Sequence, residues 1–198
     1  MQPPAIIAGL GNPGAEYAGT RHNVGFMVID CLASRWGAGW ETAAKFKADL
    51  VRGLRSGCRV WLCRPRTYMN LSGEAVGPLA RYYQVPIERV MVVVDDADLP
   101  LGTVRMRGEG GNGGHHGLES VEQALGGRGY GRQRVGIGRA LAGGGDMVGH
   151  VLGRFTPDEQ PWMARVARRA ADQLECWLAD GMMMAMNRFN GSELDAKT

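Results

Sequence analysis

His22 stands in the run Thr20-Arg21-His22-Asn23, just ahead of a segment with helical apolar spacing. An imidazole titrates near ~6.5, so it can take a proton at neutral pH. A carboxylate beside it would orient the ring and stabilise its charged form. Three carboxylates are on offer in Val94-Asp95-Asp96-Ala97-Asp98-Leu99-Pro100. Asp95 is the expected partner, because it directly follows an apolar strand. The plainer alternative makes Asp95, Asp96 and Asp98 solvated loop residues or turn caps, and His22 an ordinary loop histidine. A metal centre is another arrangement, with the same aspartates joined by His22, His115 and His116 around a divalent ion. No histidine pair has the helical H-E-x-x-H spacing. His115 and His116 are adjacent, and on an extended segment they would point opposite ways, so no metal is expected. A protein nucleophile has little support. No G-x-S-x-G occurs, and Ser72 opens a helix, where a cap explains it. Cys31, Cys58, Cys63 and Cys176 fall in apolar runs without zinc or redox spacing and read as buried thiols. What remains is a water activated by a base, with amide side chains placing substrate and stabilising an oxyanion.

One glycine pattern suggests a different chemistry. Gly9-Leu10-Gly11-Asn12-Pro13-Gly14 matches G-x-G-x-x-G directly after a strand, as in a dinucleotide site. Such a fingerprint opens straight into a helix whose amides hold the pyrophosphate. Here Pro13-Gly14 is a turn signal, and about ten residues pass before helical spacing begins. The acidic residue expected roughly 20 positions on would be Asp30, which falls within the helix. The pattern therefore reads as a loop that aims Asn12.

The elements that must position these groups alternate between strand and helix. Ala5–Leu10 is a first strand, and Val24–Trp36 is a helix with Val24, Val28, Cys31, Leu32 and Trp36 on one face. Phe46–Leu54 and Arg59–Arg64 read as antiparallel strands joined at Ser56-Gly57. Ser72–Tyr83 is a helix, and Arg89–Val94 is a continuous apolar strand of the kind covered on both faces. Val104–Arg107 and Arg132–Ile137 are strands flanking the helix Gly117–Leu125. Pro157–Leu178 is a long amphipathic helix, and a short helical piece lies near Met183–Phe189. The pattern predicts an α/β fold, a single-domain α/β/α sandwich around a twisted mixed sheet over residues 1–198. Strand 59–64, helix 72–83 and strand 89–94 form a βαβ unit, so those strands should be parallel. Ligands of open α/β sheets bind at the rim of carboxyl strand ends. If the first strand is parallel too, Asn12, Asn70 and Asp95 arrive at one place from three segments.

Composition sets the wider bounds. The 198 residues are 44% hydrophobic and 22% charged, ordinary for a globular chain able to bury a core without covalent staples. Neither a leader pattern nor a membrane-length apolar run is present, so a cytoplasmic protein is expected. Net charge is only +3, yet Lys45, Lys47 and Lys197 are the only lysines among 23 basic residues. Arginine forks onto phosphate in a fixed geometry, which suits RNA. Coding bias toward arginine would give the same composition.

Five blocks in order resemble the signatures of bacterial peptidyl-tRNA hydrolase. They are Gly9-Leu10-Gly11-Asn12-Pro13-Gly14 with Tyr17 and Thr20-Arg21-His22-Asn23-Val24-Gly25; Pro65 to Gly73; Asp95 to Gly102; Gly110 to Leu118; and Arg134-Val135-Gly136-Ile137-Gly138-Arg139. The resemblance implies a monomeric, metal-independent esterase without cofactor that frees tRNA from peptidyl-tRNA. It implies that His22 activates water with support from Asp95. Asn12, Tyr17, Met69, Asn70 and position 116 then bind the peptide end and terminal adenosine. Arg105, Arg107 and Arg134 contact tRNA phosphate, with Arg105 and Arg107 on one face of a strand. On that assignment Arg134→Ala weakens tRNA binding and spares a small ester. The family has Asn where His116 stands, and imidazole cannot offer an amide's donor and acceptor together. The family commonly has an acidic-apolar pair where Asp96-Ala97 stands, and the smaller Ala97 bears only on packing; the loop Ala140–Asp146 contains no lysine for a family phosphate contact. A non-catalytic RNA-binding module on the same fold is the alternative, and tight dinucleotide binding would revive an oxidoreductase.

Overall fold

The computed structural model of the chain describes residues 2–139 and 146–192. Lys197 and most of the lysine-free loop, residues 140–145, lie outside the described residues. The elements in order are β1 (Ala5–Gly9), α1 (Val24–Arg35), β2 (Glu41–Ala43), β3 (Ala48–Arg55), β4 (Cys58–Pro65), α2 (Gly73–Tyr82) and β5 (Val90–Asp96). There follow β6 (Thr103–Arg107), α3 (His116–Leu125), β7 (Gly131–Gly136), α4 (Met147–Leu152), α5 (Glu159–Asp180), α6 (Met182–Phe189) and β8 (Gly191–Ser192).

The strands form one eight-stranded mixed sheet in the order β2-β3-β4-β1-β5-β7-β6-β8. β4, β1, β5 and β7 run parallel, while β2, β3, β6 and β8 pair antiparallel. The βαβ expectation holds, with β1 inserted between β4 and β5 and parallel to both. The central strands are apolar on both sides because both faces are covered. Along β5, Met91 and Val93 join the core under α1 and α5, while Val90, Val92 and Val94 join the core under α2 and α3. The same alternation splits Ile7 from Ile6 and Ala8 on β1.

Several boundaries differ from expectation for local reasons. Phe46 falls in a 3₁₀ turn, Ala44–Phe46, and not in a strand, because Lys47 turns left-handed at φ 50°. Asp95 and Asp96 belong to β5 itself, where both continue the ladder to β7 opposite Val135 and Gly136. The long helix begins at Glu159, two residues after Pro157. His116, placed by sequence outside the helix that follows, is the first residue of α3. The short elements β2, α4 and β8 carry too few residues for a periodic signal. Cys58, Cys63 and Cys176 are buried and Cys31 is half-buried; burial pushes the Cys63 thiol up to about 12.

The first turn of α1 lies hard against the sheet. A Cβ on Gly25 would stand 2.5 Å from both Leu10 O and Val93 O, and one on Gly9 would stand 2.3 Å from Gly25 O. Gly9 and Gly25 therefore admit the backbone of α1 to the rim of β1 and β5. That contact, and no phosphate, accounts for the first glycine of the dinucleotide-like pattern.

Candidate active site

Asp95 is at the end of β5 and only 4% exposed. Its Oδ1 lies 2.9 Å from His22 Nδ1 and 3.1 Å from His115 Nε2. Two imidazoles thus converge on one oxygen, their ring centroids 5.4 Å apart. Their protonation follows from the other partners. His115 caps α3, and its Nδ1 accepts from Gly117 N–H at 3.1 Å and Leu118 N–H at 3.3 Å. An accepting Nδ1 carries no proton, so the proton of neutral His115 is on Nε2, donated to Asp95. His22 Nδ1 likewise donates to the carboxylate, which leaves His22 Nε2 as the bare nitrogen. Burial would raise the Asp95 carboxyl, but hydrogen bonds from His115 and His22 outweigh it and hold it at about 2. Asp95 is therefore ionised at neutral pH.

The ligand atoms of His22, Asp95 and His115 lie within 4.8 Å of one another, the one such grouping among the described residues. A cation bound by His115 Nε2 would force its proton onto Nδ1, against two amide N–H donors. The donor set fits a hydrogen-bonded triad better than a metal centre. The expected divergence of His115 and His116 is present, yet it left His115 free to face His22. His116 is 78% exposed and lies 3.5 Å from Glu119 Oε2.

A chain of contacts closes on itself around this triad. Asn23, next to His22, is buried; its Oδ1 accepts from Asn12 N–H at 2.8 Å and its Nδ2 donates to Asn12 O at 2.9 Å. Asn12 Oδ1 then accepts from Met69 N–H at 2.8 Å, which turns Asn12 Nδ2 outward as a donor. Met69 packs on Gly117, where a Cβ would stand 2.5 Å from the Met69 sulfur. Gly117 N–H returns the chain to His115. Tyr17 sits edge-on to Tyr68, the neighbour of Met69, with ring centroids 6.5 Å apart. Asn70 is exposed and lines a groove of about 700 Å³ with Lys45, Lys47, Glu74 and Arg81. Of the three groups expected at the rim, Asn12 and Asp95 are tied into this circuit; the third segment enters through Met69 and not through the side chain of Asn70.

The arginines form a separate feature. Arg105 and Arg107 are exposed on one face of β6, as alternation requires. Arg105 pairs across the sheet with Arg134, and Arg107 with Arg132. Like charges directly opposite each other destabilise a sheet. With Asp96 and Glu109 these four line a cavity of about 200 Å³. Arg134 is countered by Asp96 Oδ2 at 3.1 Å. Arg132 is 1% exposed, its guanidinium 4.3 Å from the Tyr130 ring centroid. Sequence reasoning missed Arg132 and Asn23, and considered His115 only as a metal ligand and not as a partner of Asp95. For Arg132 the signal was there, since it stands two residues before Arg134 on β7 and so shares its face; for His115 and Asn23, adjacency to His116 and His22 carries no information on which side chain faces inward.

The profile of the peptidyl-tRNA hydrolase family matches residues 6–197. This chain belongs to the peptidyl-tRNA hydrolase family. A peptidyl-tRNA hydrolase of Synechococcus sp. (strain JA-3-3Ab) is 49% identical over 185 residues, covering 93% of this chain and 82% of that relative. One from Geobacillus kaustophilus is also 49% identical, over 93% of this chain and 98% of its own. The crystal structure of peptidyl-tRNA hydrolase from Acinetobacter baumannii superposes with a TM-score of 0.88 at 37% identity, covering 96% of this chain and 95% of that one. The α/β fold is common to both.

Proposed function

We propose that this peptidyl-tRNA hydrolase cleaves the ester between a peptide and the 3′-terminal ribose of tRNA, with His22 as general base. The single observation that carries the assignment is the His22 Nδ1 to Asp95 bond at 2.9 Å, which leaves Nε2 bare. A water gives its proton to His22 Nε2 as its oxygen attacks the ester carbonyl carbon. Asp95, ionised and dry, stabilises the resulting imidazolium. The tetrahedral intermediate then collapses, its C–O bond to the ribose breaks, and the ribose oxygen takes the proton back from Nε2. Asn12 Nδ2 donates to the substrate, held in direction by the Met69 N–H on its oxygen. Tyr17, Met69, Asn70 and His116 make the remaining contacts with the peptide end and terminal adenosine.

Arg105, Arg107 and Arg134 attract tRNA phosphate, the ligand that offsets like charges paired across a sheet. The enzyme works as a monomer of one domain in the cytoplasm, without metal or cofactor. No helix among the described residues is long and apolar enough to cross a membrane. The deciding experiment follows release of N-acetylphenylalanine from N-acetylphenylalanyl-tRNA by trace enzyme. Wild type turns over many equivalents, and His22→Ala, still folded, loses roughly 10²–10⁴ in rate. Near-normal turnover by His22→Ala would remove His22 from the mechanism. Tight tRNA binding without turnover by wild type would make the protein a binding module.

A further inference from the structure

The segment that carries His115 has almost no side chains of its own to hold it. It reads Gly110-Gly111-Asn112-Gly113-Gly114-His115, and Gly110, Gly113 and Gly114 have φ of 148°, 62° and 77°. Glycine loses more conformational freedom on ordering than any other residue, so this shape must be imposed from outside. Two guanidiniums impose it. Arg132 Nη1 donates to the carbonyls of Gly110 and Gly111, and its Nη2 donates to Arg128 O and Tyr130 O. Arg134 Nη2 donates to Gly111 O at 3.0 Å and to Asn112 O at 3.4 Å. Asn112 O in turn accepts the His115 N–H at 3.1 Å, and Asn112 Oδ1 accepts Gly114 N–H at 3.0 Å.

The other nitrogen of Arg134 holds the opposite side of the same junction. Its Nη1 lies 3.1 Å from Asp96 Oδ2, and Asp96 is the residue after Asp95 on β5. One planar, two-pronged cation therefore spans the strand that presents the carboxylate and the loop that presents the imidazole. A residue whose only task was to meet phosphate would not have both terminal nitrogens committed to protein acceptors. We propose that Arg134 is a positioning residue for ester hydrolysis: it fastens the Gly110–His115 loop to β5, so that His115 stays on Asp95. With His115 in place, Asp95 Oδ1 keeps a second donor and a fixed orientation toward His22. The inference rests on the reading of His22 as the base.

A substrate without tRNA separates this role from phosphate binding. The 3′-O-(N-acetylphenylalanyl) ester of adenosine and N-acetylphenylalanyl-tRNA are each compared with wild type, Arg134→Lys, Arg134→Ala and Asp96→Asn. Lysine keeps the charge for phosphate but cannot span Asp96 and two carbonyls together. Misplacement of catalytic groups by an ångström costs up to about a hundredfold, so kcat on the adenosine ester should fall about tenfold or more in both Arg134 variants, with KM for that ester unchanged. The same fall, smaller, is expected for Asp96→Asn, which removes a negative charge and on electrostatic grounds would only help tRNA bind. The His115 Nε2–H proton, followed by NMR, should exchange faster with water in Arg134→Lys than in wild type. Arg134→Lys and Asp96→Asn with wild-type kcat on the adenosine ester would overturn the inference and leave Arg134 a phosphate contact. An Arg134→Lys kcat that fell while the His115 proton stayed protected would overturn it too. Failure of the wild type itself to turn over either ester would count against the base assignment instead.

Discussion

At the residue scale, Asp95 is the group whose state is best defined. Its folded carboxyl is held at about 2, below the 3.8 of an unperturbed aspartate, because two imidazole donors outweigh burial. A lowered folded value means the ion is worth more to the native state than to the unfolded chain. That contribution is complete above about pH 4 and fades as pH falls toward about 2. The unfolding free energies of wild type and Asp95→Asn, measured across that window, should therefore converge as acid is added. A gap independent of pH would show that the carboxylate contributes nothing through its charge. In the same variant an uncharged amide replaces the ion proposed to stabilise the imidazolium. The kcat of Asp95→Asn on N-acetylphenylalanyl-tRNA should fall by about tenfold or more, each tenfold being ~1.4 kcal/mol of lost transition-state stabilisation. His22 and Asp95 were legible in the sequence because histidine ahead of a helix and an acid after an apolar strand are both local signals. His115 was not, because its inward direction depends on a cap geometry that only the packed loop reveals.

At the element scale, the site depends on how closely α1 meets β1 and β5. Replacing Gly25 with Ala sets a Cβ 2.5 Å from two main-chain oxygens, Leu10 O and Val93 O, which cannot swing aside as a side chain can. The helix must back away, carrying His22 and Asn23 with it. Overpacking of this kind costs typically ~1–3 kcal/mol, so chemical denaturation of Gly25→Ala should show a loss of that order together with a fall in kcat. Gly102→Ala would make a different control: the atoms nearest its Cβ belong to the Trp162 ring, though at φ 85° the backbone is strained as well. The strands and helices themselves were readable, since β5 is apolar at every position from Val90 to Val94 and α1 repeats at helical intervals. Sequence placed Phe46 in a strand on its apolar character alone, and the left-handed Lys47 that ends that possibility has no signature in residue type. Likewise β1 could be named a strand but not assigned its place between β4 and β5, because pairing order is a long-range property.

For the whole molecule, the two proposed sites stand on neighbouring strands of one sheet. Asp95 on β5 gathers His22 and His115, the groups proposed to cleave the ester, and the arginine face is built on β6 and β7. Affinity for tRNA should fall steeply with salt, as phosphate contacts release counterions. Removing Arg105 or Arg107 singly should weaken tRNA binding and flatten the log–log salt plot by about one unit each. An unchanged slope in both variants would place the phosphate contacts elsewhere. Hydrogen-bonded strands lie roughly 4.8 Å apart whatever their side chains, so β6 stands about 10 Å from β5, two steps across the ladder. On the proposed function the sheet is thus a ruler, with the scissile bond at one mark and a backbone phosphate at the other. A substrate is measured by whether both ends reach, and an ester on a bare nucleoside can touch only the first.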